Sequence, residues 1–284
     1  MKRILVVGDD SYIGMSFRDF VADNNKCEVT MVNSRDNAWK NVDFTGYDSL
    51  LHCAGIAHVK TTKENEKLYY DINCDLAVNV AKKAKAEGVG QFVFLSSLFV
   101  YVNRKTPIII DKDTPTNPDT VYGKSKLKAE IELKQIADND FKICNIRPPM
   151  VYGKNCRGNF LSLVSLAKKT PIFPGYPNKR SMIYVENLCN FICVLIDENK
   201  EGVFLPQNCE YVNTSELVKE IARCHGKKIR TIKLFNPLIG ILSKKISVFN
   251  KVFGNLCYSQ LGNESDYCAV DFEESVKRSV GHNG

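Results

Sequence analysis

Tyr122 and Lys126 stand in the run Tyr122-Gly123-Lys124-Ser125-Lys126. Near the start of a helix this spacing puts a phenol and an ammonium one turn apart on the same face. An unperturbed phenol has a pKa of about 10, and nearby positive charge lowers it enough for the group to serve as an acid or base. The bare spacing arises often by chance, so its position in the chain decides its meaning. Here it follows an apolar run, Phe92 to Leu95, that ends in Ser96-Ser97.

A second group of residues could hold a phosphate. The first apolar run ends in Gly8-Asp9-Asp10-Ser11-Tyr12-Ile13-Gly14. A glycine turn between a strand and a helix lets a pyrophosphate approach backbone amides at the helix N-terminus, so dinucleotide binding is the natural reading. Ser11 replaces the usual middle glycine, and taken alone the turn would fit an ordinary strand-helix junction equally well. After the second strand the chain reads Val32-Asn33-Ser34-Arg35. A site selective for NAD would place an acidic side chain there to hold the ribose hydroxyls. Asn33 is uncharged, Ser34 and Arg35 could bind a 2′-phosphate, and Asp36 comes too late, so NADP is favoured over NAD.

These residues need a scaffold. Ile4 to Val7, Glu28 to Val32, Ser49 to Cys53, Phe92 to Leu95 and Lys142 to Ile146 are short apolar runs bounded by polar or glycine signals, as strands are. Helical stretches lie between most of them: Tyr12 to Ala22, then Glu64 to Glu87 with Tyr69, Ile72, Leu76, Val80 and Ala84 in one stripe, then Asp119 to Asp138 behind Pro118. Apolar strands alternating with helices predict an α/β, Rossmann-type doubly wound parallel sheet covered on both faces. Too few residues separate the second and third strands for a regular helix, so the link must be short or irregular. After Arg147-Pro148-Pro149 the regularity fades, which predicts a smaller carboxy-terminal substrate lobe. The expected division is 1–152 for the dinucleotide-binding domain and 153–284 for the lobe, with 181–202 returning to the core.

Composition narrows the function classes. In 284 residues, 44% hydrophobic, the net charge is +7 and no long basic block occurs, so nucleic-acid binding is not indicated. The eleven cysteines suit buried thiols in a reducing, cytoplasmic compartment, and no cysteine-histidine set has zinc spacing, so no metal is expected. The amino-terminal apolar run is too short for a signal peptide or membrane span. Phe235 to Leu256, interrupted by Pro237, Lys244, Lys245 and Lys251, predicts an amphipathic helix pair packed as core or lid rather than a membrane segment.

The glycine turn, Leu51-His52-Cys53-Ala54-Gly55, Phe94-Leu95-Ser96-Ser97, Tyr122 to Lys126 and Arg147-Pro148-Pro149 follow one another as in the extended short-chain dehydrogenases/reductases. Over nearly its whole length the chain resembles the nucleotide-sugar epimerase/dehydratase family, which includes UDP-sugar 4-epimerases and 4-keto-sugar reductases of surface-polysaccharide synthesis. The resemblance implies that Tyr122 is the catalytic acid/base, that Lys126 lowers its pKa and holds the nicotinamide ribose, and that Ser97, four residues before Tyr101, binds the reacting sugar oxygen. It sets Gly8, Ser11, Tyr12, Ile13, Gly14, Asn33, Ser34, Arg35, Cys53, Ala54, Gly55, Asn73, Ser96 and Pro148 along the cofactor. His52 reads as a satisfied core histidine. In the lobe, Asn159 of Gly158-Asn159-Phe160 and Arg180 of Arg180-Ser181-Met182-Ile183-Tyr184-Val185 would meet the substrate diphosphate, although Ser181 and Tyr184 depart from the family pattern.

The implied reaction acts at sugar C4. The favoured expectation is an NADPH-dependent ketoreductase of a UDP-4-keto-6-deoxy-hexose or hexosamine. The alternative is a UDP-sugar 4-epimerase with tightly bound NAD, and a third reading is a non-catalytic dinucleotide sensor. Leu98-Phe99 stand where a dehydratase would carry its Asp-Glu pair. A homodimer through the two long helices is also expected from the resemblance.

Overall fold

The structure, a computed structural model, describes residues 1–24, 27–57, 59, 61–103, 109–260, 262 and 264–281. The chain forms two units, one of Met1–Thr106, Thr114–Pro149 and Leu188–Pro206, the other of Pro107–Asp113, Met150–Asn187 and Gln207–Gly284.

The apolar runs build the sheet of the first unit: β1 (Lys2–Val7), β2 (Cys27–Val32), β3 (Ser49–His52), β4 (Gln91–Leu95), β5 (Lys142–Ile146) and β6 (Gly202–Phe204). All pair in parallel in the order β6-β5-β4-β3-β1-β2. Every residue of β3 and β4 is buried, as continuous apolar strands require when helices cover both faces. The order reverses between β1 and β3, so the carboxyl ends of β1, β3 and β4 meet at a switch point, where sheets of this type bind ligands.

The helices follow the sequence pattern with one instructive difference. Helix α1 (Tyr12–Asn24) buries Phe17 and Val21. The long stretch predicted from Glu64 is instead α2 (Glu66–Tyr70), a π turn (Asp71–Asp75) and α3 (Leu76–Ala86) in direct succession. A π turn spans one more residue than an α turn and rotates the buried face. Asn73 and Ala77 are therefore fully buried. Ile72 and Leu76, expected on the inner stripe, are half-buried and line a cavity of about 250 Å³ shared with Ser34, Asp36, Trp39 and Asn79. Helix α4 (Val121–Ile136) starts where Thr120 caps it, its hydroxyl accepting from the Gly123 amide at 3.1 Å.

The irregular link expected between β2 and β3 is present. It is a 3₁₀ stretch, Arg35–Asn41, in which Asp36 and Asn37 hold left-handed φ values of 51° and 58°. Asn and Asp tolerate that region better than other non-glycine residues. Trp39 anchors the stretch and is buried in the core with Phe44 and Val32.

The second unit has three short parallel strand pairs, Met150–Tyr152 with Met182–Tyr184, Ile172–Pro174 with Arg230–Ile232, and Ile109–Ile110 with Cys257–Tyr258. Tyr152 centres one core. Its ring lies 5.3 Å from Phe160 and 5.7 Å from Tyr184, and its hydroxyl bonds Ser275 (2.6 Å) and accepts from Asn208 (2.9 Å). The helix pair predicted near residue 240 is present as Asn236–Lys245 and Ser247–Phe253. Its inner side packs into the core as expected, and its outer side is exposed. Ile239 and Phe253 are buried, but Leu238 and Ile241 are 53% and 56% exposed.

Candidate active site

The turn after β1 is held closed by contacts that only glycine permits. Gly8 has φ +113°, and a Cβ there would stand 2.7 Å from the Ala54 amide nitrogen. A Cβ on Gly14 would stand 2.9 Å from the Gly8 carbonyl oxygen. The serine in place of the middle glycine is the cap of α1, its Oγ accepting from the Gly14 amide at 3.1 Å. Tyr12 and Ile13 form the opening turn of that helix, whose amides have no intrahelical carbonyl to bond and favour an anion. Cys53 packs against this turn, its Sγ-bearing Cβ 3.4 Å from the position a Gly14 Cβ would take. Burial pushes its thiol up to about 12, so it is a neutral wall rather than a nucleophile.

At the end of β2 the side chains are engaged with the acidic pair of the turn. Asn33 Nδ2 donates to Asp9 (3.2 Å), Asn33 Oδ1 accepts from the Arg35 amide (2.7 Å), and the Arg35 guanidinium pairs with Asp10. Arg35 and Asp10 are both largely exposed, with side chains 72% and 54% accessible.

The catalytic corner is built by close approach of α4 to the segment after β4. A Cβ on Gly123 would come within 2.5 Å of the Phe99 carbonyl oxygen, so glycine lets the first turn of α4 touch the short helix Leu98–Val100. This brings the Tyr122 ring edge-on to Phe99, with centroids 5.8 Å apart. It also brings the phenol beside the Ser97 hydroxyl, which acts to lower its pKa. Ser97 Oγ in turn accepts from the Phe99 amide at 3.2 Å.

Burial pushes the Tyr122 pKa up, and Ser97 beside it opposes that rise. The sequence assigned the downward pull to Lys126. In the structure the Lys126 ammonium instead donates to the Leu95 carbonyl at 2.8 Å and lies 4.6 Å from the Phe94 ring centroid. It is 4% exposed, and burial lowers its pKa to about 8.

Asn73 joins the two halves of the site. Its amide exchanges two hydrogen bonds with the backbone of Ile56 (2.9 and 3.0 Å) and donates to Ser125 on α4 at 3.1 Å. A Cβ on Gly55 would lie 3.0 Å from Asn73 Oδ1 and 3.2 Å from Lys126 Nζ. The loop after β3 and the lysine thus share one small space.

Ser96 donates to Glu130 instead of facing the site alone. Glu130 is paired bidentately with Arg147, whose Nη1 donates to the Tyr101 hydroxyl at 2.5 Å. The Leu98 amide donates to the Pro148 carbonyl at 3.0 Å, tying the proline segment to the catalytic loop. Sequence reasoning passed over Glu130, Ser125 and Thr120. The signal for Glu130 was its place one turn beyond Lys126 on the same helix face.

His52 corrects an expectation. It is fully buried between Phe92 (5.8 Å) and Phe94 (6.0 Å), yet neither ring nitrogen has a hydrogen-bond partner among the described residues. Burial holds its pKa at about 3, so it is neutral.

In the second unit Asn159 opens the helix Asn159–Lys169 behind Gly158, whose φ is +93°. Arg180 is held by a backbone bridge to Val212 and donates from Nη1 to the Gly254 carbonyl at 3.0 Å. Among the described residues no carboxylate pairs with it, and burial lowers its pKa. A half-buried guanidinium with spare donors is suited to a phosphate. Tyr184, where the family pattern has histidine, donates to Glu186 at 2.7 Å.

The residues of the first unit fit a dinucleotide. Lys126 brings three N–H donors into a buried space and one bonds a protein carbonyl, which leaves donors for ribose hydroxyls beside the glycine turn that admits a pyrophosphate.

Comparison with known proteins agrees with that geometry. Residues 4–205 match the family profile of the NAD dependent epimerase/dehydratase family. The chain is 35% identical over 224 residues to a UDP-glucose 4-epimerase of Vibrio cholerae, covering 73% of this chain and 67% of that protein. It is 27% identical over 259 residues to an N-acetyl-alpha-D-glucosaminyl-diphospho-ditrans,octacis-undecaprenol 4-epimerase of Escherichia coli O157:H7, covering 88% and 77%. A crystal structure of UDP-glucuronic acid 4-epimerase from Bacillus cereus with NAD superposes with a TM-score of 0.73 at 16% identity, over 98% and 95% of the two chains. The chain therefore belongs to the NAD dependent epimerase/dehydratase family, with the Rossmann-type α/β fold and NAD(P)-dependent chemistry of the extended short-chain dehydrogenases/reductases.

Proposed function

We propose that this enzyme is a 4-epimerase of a diphosphate-linked sugar, using NAD. The observation that carries the reading is this corner: a half-buried phenol beside Ser97, with a buried ammonium one turn along α4, at the switch point of the sheet. The likeness to two 4-epimerases supports C4 as the reacting carbon.

Ser97 would donate to the C4 oxygen and hold it against Tyr122. Tyr122, as phenolate, takes the C4 hydroxyl proton, keeps it while the keto-sugar turns over, and returns it to the same oxygen. Bound NAD supplies the chemistry of accepting a hydride from C4 and giving it back to the opposite face. Lys126 would hold the nicotinamide ribose with the donors its single carbonyl leaves spare. Gly8, Ser11, Tyr12, Ile13 and Gly14 would cradle the pyrophosphate, and Cys53, Ala54, Gly55, Asn73, Ser96 and Pro148 would shape the nicotinamide end. Arg180 and Asn159 would bind the substrate diphosphate. Because burial raises the Tyr122 pKa, the oxidised nicotinamide's positive charge is needed to bring the phenol into use.

The choice of NAD departs from the sequence expectation. Asp9 and Asp10 engage Asn33 and Arg35, and two carboxylates at this turn repel a 2′-phosphate. One observation keeps an NADPH-dependent ketoreductase as the second reading. The Arg35–Asp10 pair is exposed, and such pairs contribute about 0–1 kcal/mol, so Arg35 could be released to a phosphate with Ser34.

Mass spectrometry of dinucleotide released from the purified protein tests the choice. Retained NAD supports the epimerase, while an empty protein that titrates with NADPH in preference to NADH sinks it. A homodimer through α2, α3 and α4 is proposed from the exposed Leu68 and Ile131 on those helices, with a cytoplasmic location. Light scattering tests the dimer.

A further inference from the structure

Chain charge is distributed with unusual asymmetry. Between Gly226 and Asn263 there are seven lysines and arginines and no aspartate or glutamate, which equals the net charge of +7 for the whole chain. That segment also contains the helix pair Asn236–Lys245 and Ser247–Phe253.

The helix pair is apolar on both sides. On the inner side Ile239 and Phe253 are buried, and Phe253 packs on Phe173 and Tyr176 at 5.7 Å each. On the outer side Leu234, Leu238 and Ile241 recur at helical spacing beside Phe235, and they are 79%, 53%, 56% and 51% exposed. Val248 on the second helix is 67% exposed. A helix apolar all round is ordinarily covered on all sides, and an exposed apolar patch of this kind marks an interaction surface. Lys233, Lys244, Lys245 and Lys251 are all exposed on the same segment.

We propose that this helix pair is a peripheral docking surface for an anionic lipid bilayer, with its outer apolar side chains entering the interface and its lysines meeting the headgroups. Exposed apolar residues bordered by lysine are the pattern of helices that lie in a membrane interface. The charge decides between occupants. A second copy meeting this face would bring two acid-free basic segments together, which like-charge repulsion opposes. An anionic surface gains from each lysine. Among the described residues no helix is long and apolar enough to cross a membrane, so the attachment proposed is to one surface.

The proposal goes beyond the epimerase reading and does not depend on it. The test is flotation of the purified full chain with vesicles of phosphatidylcholine alone or phosphatidylcholine containing phosphatidylglycerol. The native chain is expected to float with the anionic vesicles only, and to be released as salt rises. Leu238→Glu with Ile241→Glu should abolish flotation. Lys244→Glu with Lys245→Glu should weaken it by about thirtyfold or more, since each lysine near such a surface is worth about fivefold. Both variants alter exposed side chains, and unchanged circular dichroism checks that they fold. Tyr122→Phe should float like the native chain, which separates this proposal from the catalytic one. The proposal is overturned if the native chain ignores anionic vesicles, if the Leu238/Ile241 variant floats equally well, or if light scattering shows that variant turning a native dimer into a monomer.

Discussion

Two strand ends of one sheet, those of β4 and β2, are held in opposite ways. At the corner after β4, Lys126, Asn73 and Glu130 are fixed by buried hydrogen bonds that tie α4 to other segments, beside Ser97 and Tyr122. At the end of β2, Asn33, Ser34 and Arg35 lie in a largely exposed loop with left-handed residues at Asp36 and Asn37, held by a surface ion pair and two exposed hydrogen bonds. On the proposed function, reaction chemistry would lie where a displaced atom is costly, and cofactor choice where exchange is cheap. Buried polar networks are expensive to break, because each orphaned group loses its partner without regaining water. An exposed pair is worth little by itself.

The largest expected effect is at the corner. Tyr122→Phe should lower turnover by about 10²- to 10⁴-fold, the usual range for a general acid/base, while dinucleotide binding measured by titration stays intact. Unchanged turnover would break the comparison, since the corner would then not hold the chemistry.

Next comes Glu130→Ala. It leaves the buried Arg147 charge without its carboxylate and frees Ser96, and should cost about 3–5 kcal/mol in denaturant unfolding. A cost below about 1 kcal/mol would show that the network is not what fixes the corner.

His52→Leu sharpens the contrast from the other side, because it removes two buried nitrogens that have no partner among the described residues. The variant should be more stable near neutral pH by about 1–3 kcal/mol, the usual penalty of such groups. The pH dependence has a definite sign. His52 has a folded pKa of about 3 against 6.5 for an unperturbed histidine, so the unfolded chain binds the extra proton between those values. The native chain should therefore lose stability relative to the variant by about 1.4 kcal/mol per pH unit as pH falls through that window, and the gap should be constant above it. Parallel stability curves for the two proteins across the window would show that His52 titrates normally.

The smallest effect on stability belongs to the loop. Arg35→Ala should change the unfolding free energy by less than about 1 kcal/mol. Its effect should show in the ratio of NADPH to NADH affinity. A large loss of stability with no change in that ratio would reverse the contrast between the two strand ends.

Much of this was legible in the sequence, for reasons that differ by element. The strands β1, β3, β4 and β5 are largely buried apolar runs, and the spacing of Tyr122 and Lys126 fixes their shared face whatever surrounds the helix. The π turn at Asp71–Asp75 left no such trace, because nothing in the local pattern distinguishes one extra residue in a turn. It moved Ile72 and Leu76 off the buried stripe and turned Asn73 inward.

By itself, then, the sequence determined the parallel sheet, the glycine turn and the one-turn spacing of Tyr122 and Lys126, because each rests on short-range periodicity or on steric limits within a few residues. Only the tertiary structure decided which partner each polar group takes. Arg35 finds Asp10, Ser96 finds Glu130, Lys126 finds the Leu95 carbonyl and His52 finds none among the described residues. It likewise decided that the outer side of the helix pair near residue 240 stays uncovered. Those outcomes depend on which distant segments arrive beside one another, and hydrogen bonds and burial form only between groups that the fold has already brought together.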